Sequence, residues 1–251
     1  MQVNLTWEGK SYHADLSAPI SIALPLKPDA SSTRAWNAPP VSIDPVRVDD
    51  WVGSVKEGAP VNFMNLSINP HGNGTHTETL AHIIADWEQN TVLGLLPNAP
   101  FLTTLRSVST NELANGDLVV DFSSLRQNPP NTPGLVLRVL GEKAQDLDFS
   151  NQNPPYFDAS DLSWLASLGI QHLITDLPSV DRELDGGALA GHHAWWCLPD
   201  YPRREATITE LARLNQPLAD GLYLVGLHAL PLAADASPSH PLMYPLSPLP
   251  D

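Results

Sequence analysis

Hydrophobic and polar positions form several short runs along the chain that are typical of β-strands. Each run is rich in β-branched or aromatic residues and is bounded by turn-forming residues. Strands are predicted at residues 2–7, 61–68, 117–122, 134–140, 172–176 and 221–227. Stretches with helical spacing lie between several of these strands. The alternation of the two element types predicts an α/β fold with a mixed sheet and outer helices.

The first predicted helix begins near Glu78. Its apolar residues recur at i, i+3, i+4 and i+7, which places them along one face of a helix. They are Leu80, Ile83, Ile84 and Trp87. Residues four apart share a face of a helix, so His82 is expected beside Glu78.

Two further helices are predicted from their boundary residues. Asp158 is a favourable N-cap before an apolar stretch, and Gly169 provides a stop. Residues 206–217 have the spacing of another helix, which Pro217 closes. This interpretation places Glu210 on a helix.

The composition is that of a globular, strongly acidic protein. The chain has 251 residues and a formal net charge of -15, which makes nucleic acid an improbable partner because its phosphates would be repelled. No apolar run approaches the roughly 18 residues of a membrane span, and no basic region followed by an apolar one opens the chain. We therefore expect a cytoplasmic protein without a membrane partner. Neither an internal repeat nor a linker divides the chain, which predicts a single domain over 1–251.

The single cysteine, Cys197, excludes an intrachain disulfide framework and a cysteine-rich zinc site. It follows the segment "HHAWW", so a catalytic thiol with a nearby histidine is one interpretation. A buried, apolar cysteine is the more common alternative.

The stretch "NPHGNGTHTETLAH", residues 69–82, brings together three histidines and one glutamate. Imidazole and carboxylate are ordinary ligands of zinc and related divalent ions. In an extended chain His76 and Glu78 project to the same face. Gly72 and Gly74 allow the backbone to bend tightly. The spacing alone fits either a metal site or a solvated polar loop.

The segment "GTHTETLAH" resembles the signature His-x-Gly-Thr-His-x-Asp-x-Pro-x-His of the cyclase family, which includes bacterial kynurenine formamidases and isatin hydrolases. Further segments resemble this family in the same order along the chain. They are "ADLSAPI" (14–20), "FDASDLSWLASLGIQHLITDLPSVD" (157–181), "HHAWW" (192–196), "ITELARL" (208–214) and "HALPLAADASPSHPL" (228–242). Several elements in the right order are a more specific signal than one motif.

The resemblance implies a set of metal ligands and an acid–base residue. His76, Glu78, His192 and Glu210 match ligand positions, with Glu78 in place of the family's aspartate. Glu210 matches a glutamate that can bridge two ions and take part in catalysis. His82 matches the histidine that acts as acid and base beside the metal. The implied cofactor is Zn²⁺, with Mn²⁺ as the alternative, as one or two ions.

The first ligand position departs from the family pattern. The family has a histidine four residues before His76, where this chain has Gly72, and His71 lies one residue earlier. A one-residue slip in extended chain turns a side chain to the opposite face, so His71 cannot simply replace the missing ligand. A bulge around Asn73 could bring His71 back, and we retain it as a candidate ligand. The sequence therefore leaves three alternatives for this site, which are two bound ions, one bound ion or none.

The family also implies an architecture and an activity. The fold expected is of the swivelling β/β/α type, with a mixed, partly barrel-like sheet covered by outer helices, in a homodimer or homotetramer. The activity expected is metal-dependent hydrolysis of a small amide, lactam or ester substrate, as in arylformamidases. A metal-dependent cyclase or dehydratase and a non-catalytic binding relative are the alternatives. Trp36, Trp195 and Trp196 could form walls for a flat substrate or belong to the core, and Ser179 and Asp181 match a supporting segment.

Overall fold

The computed structural model describes residues 1–29, 32–97, 99–143 and 148–249. The strands are β1 (Gln2–Trp7), β2 (Lys10–Asp15), β3 (Ile20–Ser21), β4 (Ser42–Pro45), β5 (Arg47–Val48), β6 (Trp51–Val52), β7 (Met64–Ser67), β8 (His76–Glu78), β9 (Phe101–Ser107), β10 (Thr110–Glu112), β11 (Leu118–Val120), β12 (Gly134–Arg138), β13 (His172–Thr175), β14 (Thr207–Glu210), β15 (Gly221–Ala229), β16 (Ala236–Pro245) and β17 (Ser247–Pro248). The α-helices in these ranges are α1 (Val92–Leu95), α2 (Ser123–Gln127), α3 (Ala159–Ser167) and α4 (Ala190–Trp195). Single 3₁₀ turns cover Val55–Glu57, Leu80–Ile83, Trp87–Gln89 and Gly141–Lys143.

The central sheet closes into a mixed barrel. Its strand order is β15-β9-β12-β13-β14-β8-β16, and pairing between β15 and β16 completes the ring. The strands β9, β12, β13 and β14 are parallel to their neighbours within this group, whereas β8, β15 and β16 pair antiparallel. The short strand β3 pairs antiparallel with β16 at Leu242 and Met243. The expected mixed, partly barrel-like α/β fold is confirmed.

Alternating side chains of the same strands separate two hydrophobic clusters. Val136 of β12 and Ile174 of β13 belong to a cluster inside the barrel. Their strand neighbours Leu135 and Leu173 belong to the larger cluster, to which α3 and α4 contribute. Because side chains alternate between the faces of a strand, each barrel strand is buried on both sides. The face toward α4 is the face on which the candidate site lies.

Several sequence predictions are confirmed. Each of the six predicted strands overlaps a strand of the structure. The helix predicted after Asp158 is α3, and the carboxylate of Asp158 accepts the backbone N–H of Ser160 at 2.8 Å. Gly169, the predicted stop, adopts a left-handed conformation with φ of 81°. The capping residues at its two ends therefore predicted this helix correctly.

Two predicted helices are wrong. Glu78 is the last residue of β8, and the stretch after it forms two separate 3₁₀ turns, Leu80–Ile83 and Trp87–Gln89, in place of a helix. Residues 206–217 do not form a helix either, because Thr207–Glu210 is the barrel strand β14. All four residues of β14 are buried, and the strand pairs with β13 and β8. Ladder hydrogen bonds and burial on two faces override the weak helical spacing in residues 207–210, and in the first segment the ladder includes only Glu78.

A ribbon outside the barrel spans residues 42–67 and contains β4 to β7. The strand β4 pairs with β7, and β5 pairs with β6, both antiparallel. Exposed apolar side chains are concentrated on it, namely Ile43, Val48, Trp51, Val55, Val61, Phe63, Met64 and Leu66. Such a concentration is more than the scattered exposed apolar residues of an ordinary surface.

Candidate metal centre

Two neighbouring barrel strands carry the first pair of site residues. The antiparallel pairing of β8 with β14 places His76 opposite Glu210. Nδ1 of His76 donates to the backbone oxygen of Gly74 at 3.0 Å. The remaining nitrogen, Nε2, lies 3.4 Å from Oε2 of Glu210. Oε1 of Glu210 accepts the backbone N–H of Val180 at 3.0 Å. Strand register thus brings together two buried side chains that are far apart in the sequence.

Glu78 lies at the centre of the site. It projects from the same face of β8 as His76, as the alternation of an extended chain predicts, and its side chain is 1% exposed. Its Oε1 accepts a hydrogen bond from Nε2 of His192 at 3.0 Å. Its Oε2 lies 3.3 Å from Nδ1 of His71 and 3.8 Å from Nε2 of His82. One carboxylate therefore faces three imidazoles.

The first turn of α4 brings His192 to this carboxylate, and Asp181 fixes its orientation. Asp181 accepts the backbone N–H groups of Gly191 and His192, the latter at 3.1 Å. It also accepts Nδ1–H of the His192 ring at 2.5 Å, so that Nε2 is the nitrogen that faces the site. A Cβ on Gly191 would lie 2.8 Å from Oδ1 of Asp181, which explains the glycine. Asp181 thus supports His192 from behind.

An irregular turn before β8 brings His71 into the site in spite of the one-residue slip. The N–H groups of Gly72 and Asn73 both lie close to the backbone oxygen of Asn69, at 3.3 and 3.0 Å. Gly72 is the residue at which the resemblance implies a histidine, but a Cβ there would lie 2.3 Å from Cβ of Ala38. No side chain fits at residue 72 in this packing. The slip is absorbed by the turn, and Nδ1 of His71 points at the central glutamate.

Asp235 is a site residue that the sequence did not indicate. Its Oδ2 accepts Nε2–H of His71 at 2.9 Å and Nδ1–H of His82 at 3.0 Å. It directly precedes β16, whose first residue, Ala236, lies opposite Glu78 in the ladder. The register of β16 would have revealed Asp235, but that strand was not predicted.

Each of the four histidines therefore has one nitrogen bound to an acceptor behind it and one nitrogen facing the centre. The acceptors are the backbone oxygen of Gly74 for His76, Asp181 for His192, and Asp235 for both His71 and His82. Such outer hydrogen bonds set the tautomer and the ring orientation of metal-binding histidines. The arrangement is the one that a metal centre requires.

The electrostatics of the metal-free protein reflect the same convergence. Burial acts to raise the pKa of Glu78, but the nearby His82 and His192 outweigh it and hold that pKa well below its usual range. Burial acts to lower the pKa of His192, and Glu78 and Asp181 raise it well above its usual value. For His71 the burial effect is likewise outweighed, by Asp235 and Glu78, and the pKa rises to about 10. Without a metal, protons compensate the buried carboxylates.

The residues present fit a divalent cation. Nε2 of His76 and Oε2 of Glu78 are buried and have no hydrogen-bond partner. A buried polar atom without a partner costs about 1–3 kcal/mol, which a coordinated cation would remove. Ligand atoms of His71, His76 and Glu78 lie within 4.8 Å of one another, as do those of Glu78, His82 and His192. These are the nitrogen and oxygen donors that zinc and manganese accept.

A cavity of about 310 Å³ opens onto this cluster. His71, His82, His192 and Glu210 line its floor, and Trp36 lines its wall. Trp195 and Trp196 have no exposed surface and belong to the core, where the Trp196 ring stacks on His192 at 5.7 Å between centroids. Cys197 is half-buried and lines a different cavity. A third, larger cavity of about 660 Å³ has no aspartate or glutamate among the described residues that line it.

A mixed barrel with a buried histidine and carboxylate cluster beside a cavity defines a protein with a candidate divalent-metal centre. The family model named Cyclase matches residues 14–182, which is more than half of the chain. The chain belongs to this family.

Curated and solved relatives agree with this assignment. The chain is 27% identical to a kynurenine formamidase from Bordetella avium over 231 residues, which cover 89% of this chain and 93% of the relative. Its fold is similar to a "predicted metal-dependent hydrolase" from Bacillus stearothermophilus, with a TM-score of 0.64, 13% identity and coverage of 90% and 98% of the two chains. It is also similar to isatin hydrolase A from Labrenzia aggregata, with a TM-score of 0.63, 14% identity and coverage of 90% and 93%.

None of the helices within the described ranges is long and apolar enough to cross a membrane.

Proposed function

We propose that this protein is a metal-dependent hydrolase that cleaves a small amide, lactam or ester with water. The main support for the proposal is a pair of buried ligand atoms beside the cavity that make no hydrogen bond, Nε2 of His76 and Oε2 of Glu78. Membership of the Cyclase family and the similarity to a kynurenine formamidase support hydrolysis of a C–N bond outside peptides.

The ligands proposed for a divalent ion are His71, His76, Glu78, His192 and Glu210. Zn²⁺ is the first choice for this mixture of nitrogen and oxygen donors, and Mn²⁺ is the alternative. When bound, such an ion supplies Lewis acidity and makes a water molecule a better nucleophile near neutral pH. The cluster extends from Glu210 at one end to His192 at the other. We propose that it binds one or two ions.

His82 is the residue proposed to move the proton. When the ring is neutral and its Nδ1–H is donated to Asp235, Nε2 carries the lone pair. His82 lines the cavity and its Nε2 lies 3.8 Å from Oε2 of Glu78, which places it beside the ligand cluster. From there His82 takes a proton from the attacking water and gives it to the departing amine or alcohol.

The cavity favours a small, largely uncharged substrate. Its volume of about 310 Å³ is at the lower end of ligand sites, which is enough for a molecule of one or two rings. The charged groups at its rim are already engaged. Nε of Arg182 donates to Asp117 at 2.8 Å, and Glu183 accepts the backbone N–H of Asn153 at 2.8 Å. The exposed ring of Trp36 is the main contact left for a flat substrate.

A substrate panel tests the proposal. Metal-depleted protein is reconstituted with zinc or manganese and assayed with N-formyl anilines, including N-formylkynurenine, with isatin and with aryl esters. We expect hydrolysis of at least one class, dependent on added metal and absent in His76→Ala. Incorporation of ¹⁸O from labelled water into the product distinguishes hydrolysis from a cyclase or dehydratase reaction. Metal binding without turnover of any class would leave the non-catalytic relative as the correct interpretation.

We further propose that two copies associate through the 42–67 ribbon to form a homodimer. The exposed apolar residues Trp51, Phe63 and Leu66 support this, since burying them against a second copy removes apolar surface from water. The proposed location is the cytoplasm, consistent with a single free cysteine. Light scattering is expected to give twice the chain mass. Phe63→Glu with Leu66→Glu should yield a monomer, and Leu184→Glu, at another exposed leucine, should not.

A further inference from the structure

The carboxylate of Asp235 joins two histidines to which the proposed function gives different tasks. One oxygen, Oδ2, accepts Nε2–H of His71 at 2.9 Å and Nδ1–H of His82 at 3.0 Å. The two imidazole rings lie 4.2 Å apart between centroids. His71 is the proposed ligand that is out of register with the family, and His82 is the proposed proton carrier.

The backbone holds Asp235 in a fixed place relative to the ligand cluster. Its carbonyl oxygen accepts the backbone N–H of Thr79 at 3.0 Å and the hydroxyl of the same residue at 3.2 Å. The next residue, Ala236, pairs with Glu78 in the barrel. Asp235 is therefore bound to Thr79, the residue after the central glutamate, and is adjacent to the ladder partner of Glu78 itself, so its backbone has a defined position beside the ligand cluster.

We propose that Asp235 is a positioning residue that compensates for the displaced His71 and at the same time orients His82. By accepting Nε2–H of His71, the carboxylate turns Nδ1 of that ring toward Oε2 of Glu78, 3.3 Å away. By accepting Nδ1–H of His82, it leaves Nε2 of His82 free on the cavity side. A single side chain thus controls metal affinity through one histidine and proton transfer through the other. This inference rests on the proposed function.

The geometry favours positioning over direct coordination. Ligand atoms of His71, His82 and Asp235 do lie within 4.8 Å of one another. However, Oδ2 of Asp235 already receives two N–H groups, whereas Oε2 of Glu78 and Nε2 of His76 are buried and make no hydrogen bond. The unpartnered atoms are the ones that need a cation. Asp235 stands behind the histidines, as acceptors of ligand histidines do.

Asp235→Asn tests the proposal with little change of size, because it removes the charge and introduces an amide donor. We expect the affinity for zinc, measured by competition with a chromophoric chelator, to fall about 10- to 100-fold, the usual effect of losing an outer partner. At saturating zinc, kcat should fall as well. Asp220→Asn is the matched control, since Asp220 is 39% exposed against 36% for Asp235 and also accepts several hydrogen bonds. This control should change neither quantity.

Double variants separate the two tasks. In a His82→Gln background, Asp235→Asn should cause no further loss of kcat but should still weaken zinc binding. In a His71→Ala background, it should no longer weaken zinc binding. If zinc binding still falls there, Asp235 is itself a ligand and the positioning role is wrong. Wild-type protein that binds zinc and turns over, with Asp235→Asn equal to it, would overturn this inference alone. Wild-type protein that binds neither zinc nor manganese would overturn the proposed function and this inference with it.

Discussion

Nε2 of His76 lies 3.4 Å from Oε2 of Glu210, on the neighbouring barrel strand, and it makes no hydrogen bond. Each side chain is held from behind, His76 by the backbone oxygen of Gly74 and Glu210 by the backbone N–H of Val180. A lone pair and a carboxylate oxygen that face each other in a buried place are unfavourable unless a cation joins them. A divalent cation between the two side chains would remove this unfavourable contact.

Replacing His82 should separate catalysis from metal binding. His82→Ala is expected to retain the metal and to slow turnover by about 10²- to 10⁴-fold, the usual contribution of a general acid or base. His76→Ala is the comparison, and it should lose both metal and activity with the fold retained. Metal content and kcat of the two purified variants provide the measurement. If His82→Ala loses its ion as readily as His76→Ala, then His82 is a ligand.

Metal affinity should increase with pH. In the metal-free protein the carboxylates of Asp235 and Glu78 overcome the effect of burial and raise the pKa of His71 to about 10. The pKa of His192 is also raised well above its usual value, against burial, by Glu78 and Asp181. Each ring therefore carries a second proton at neutral pH, on the nitrogen that faces the site. A metal that binds this nitrogen must displace that proton. Between about pH 6 and about pH 9 the affinity should rise about tenfold per pH unit for each proton displaced.

Calorimetric titrations in buffers of different ionisation enthalpy count those protons directly. Proton release on zinc binding is the expected result. A zinc affinity that does not change over this pH range would mean that neither His71 nor His192 is a ligand.

Gly72→Ala should destabilise the protein. A Cβ at residue 72 would lie 2.3 Å from Cβ of Ala38 and 3.1 Å from the backbone oxygen of Ala35. Forcing a methyl group into such packing costs about 1–3 kcal/mol. Gly94→Ala is the control, because Gly94 lies in α1 with nothing within 4 Å of the added Cβ. Urea unfolding should show a loss of stability for the first variant and no loss for the second.

Trp36→Ala should weaken substrate binding without affecting the metal. The ring lines the cavity and is 38% exposed, so it is available to stack on a flat substrate. Losing about 1–2 kcal/mol of apolar contact should raise KM by about fivefold to thirtyfold with kcat little changed. Trp87→Ala, at a tryptophan with the same 38% exposure outside this cavity, should leave KM unchanged. Equal KM values for the two variants would exclude Trp36 from the substrate site.

The sequence predicted the fold best where local chemistry decides the structure. Asp158 and Gly169 bound α3 as expected, and the predicted strands overlap observed ones. Where long-range strand pairing decides the structure, the prediction from the sequence was wrong. Residues 207–210 join the barrel as β14 although their spacing suggested a helix. β16 is a ten-residue strand in spite of Pro238 and Pro241, which have no N–H to donate to a ladder.

The same distinction between local chemistry and long-range pairing applies to the candidate site. Residue types and the resemblance to the family identified His76, Glu78, His192 and Glu210 as candidate ligands. The structure brings their side chains together. Their roles as ligands remain predictions. The path taken by His71 could not be predicted, because it depends on a turn whose shape is set by contacts with a distant segment. Asp235 was missed for a similar reason, since only barrel pairing places it beside the histidines.

The proposed function requires that these histidines and carboxylates hold a divalent cation. Elemental analysis by plasma mass spectrometry of chelator-treated protein, after zinc or manganese is returned and excess is removed, tests it most directly. We expect one or two ions per chain in the wild type, and a lower number in His76→Ala and Glu210→Ala proteins that remain folded. Wild-type protein that retains no zinc and no manganese at any concentration supplied would contradict it.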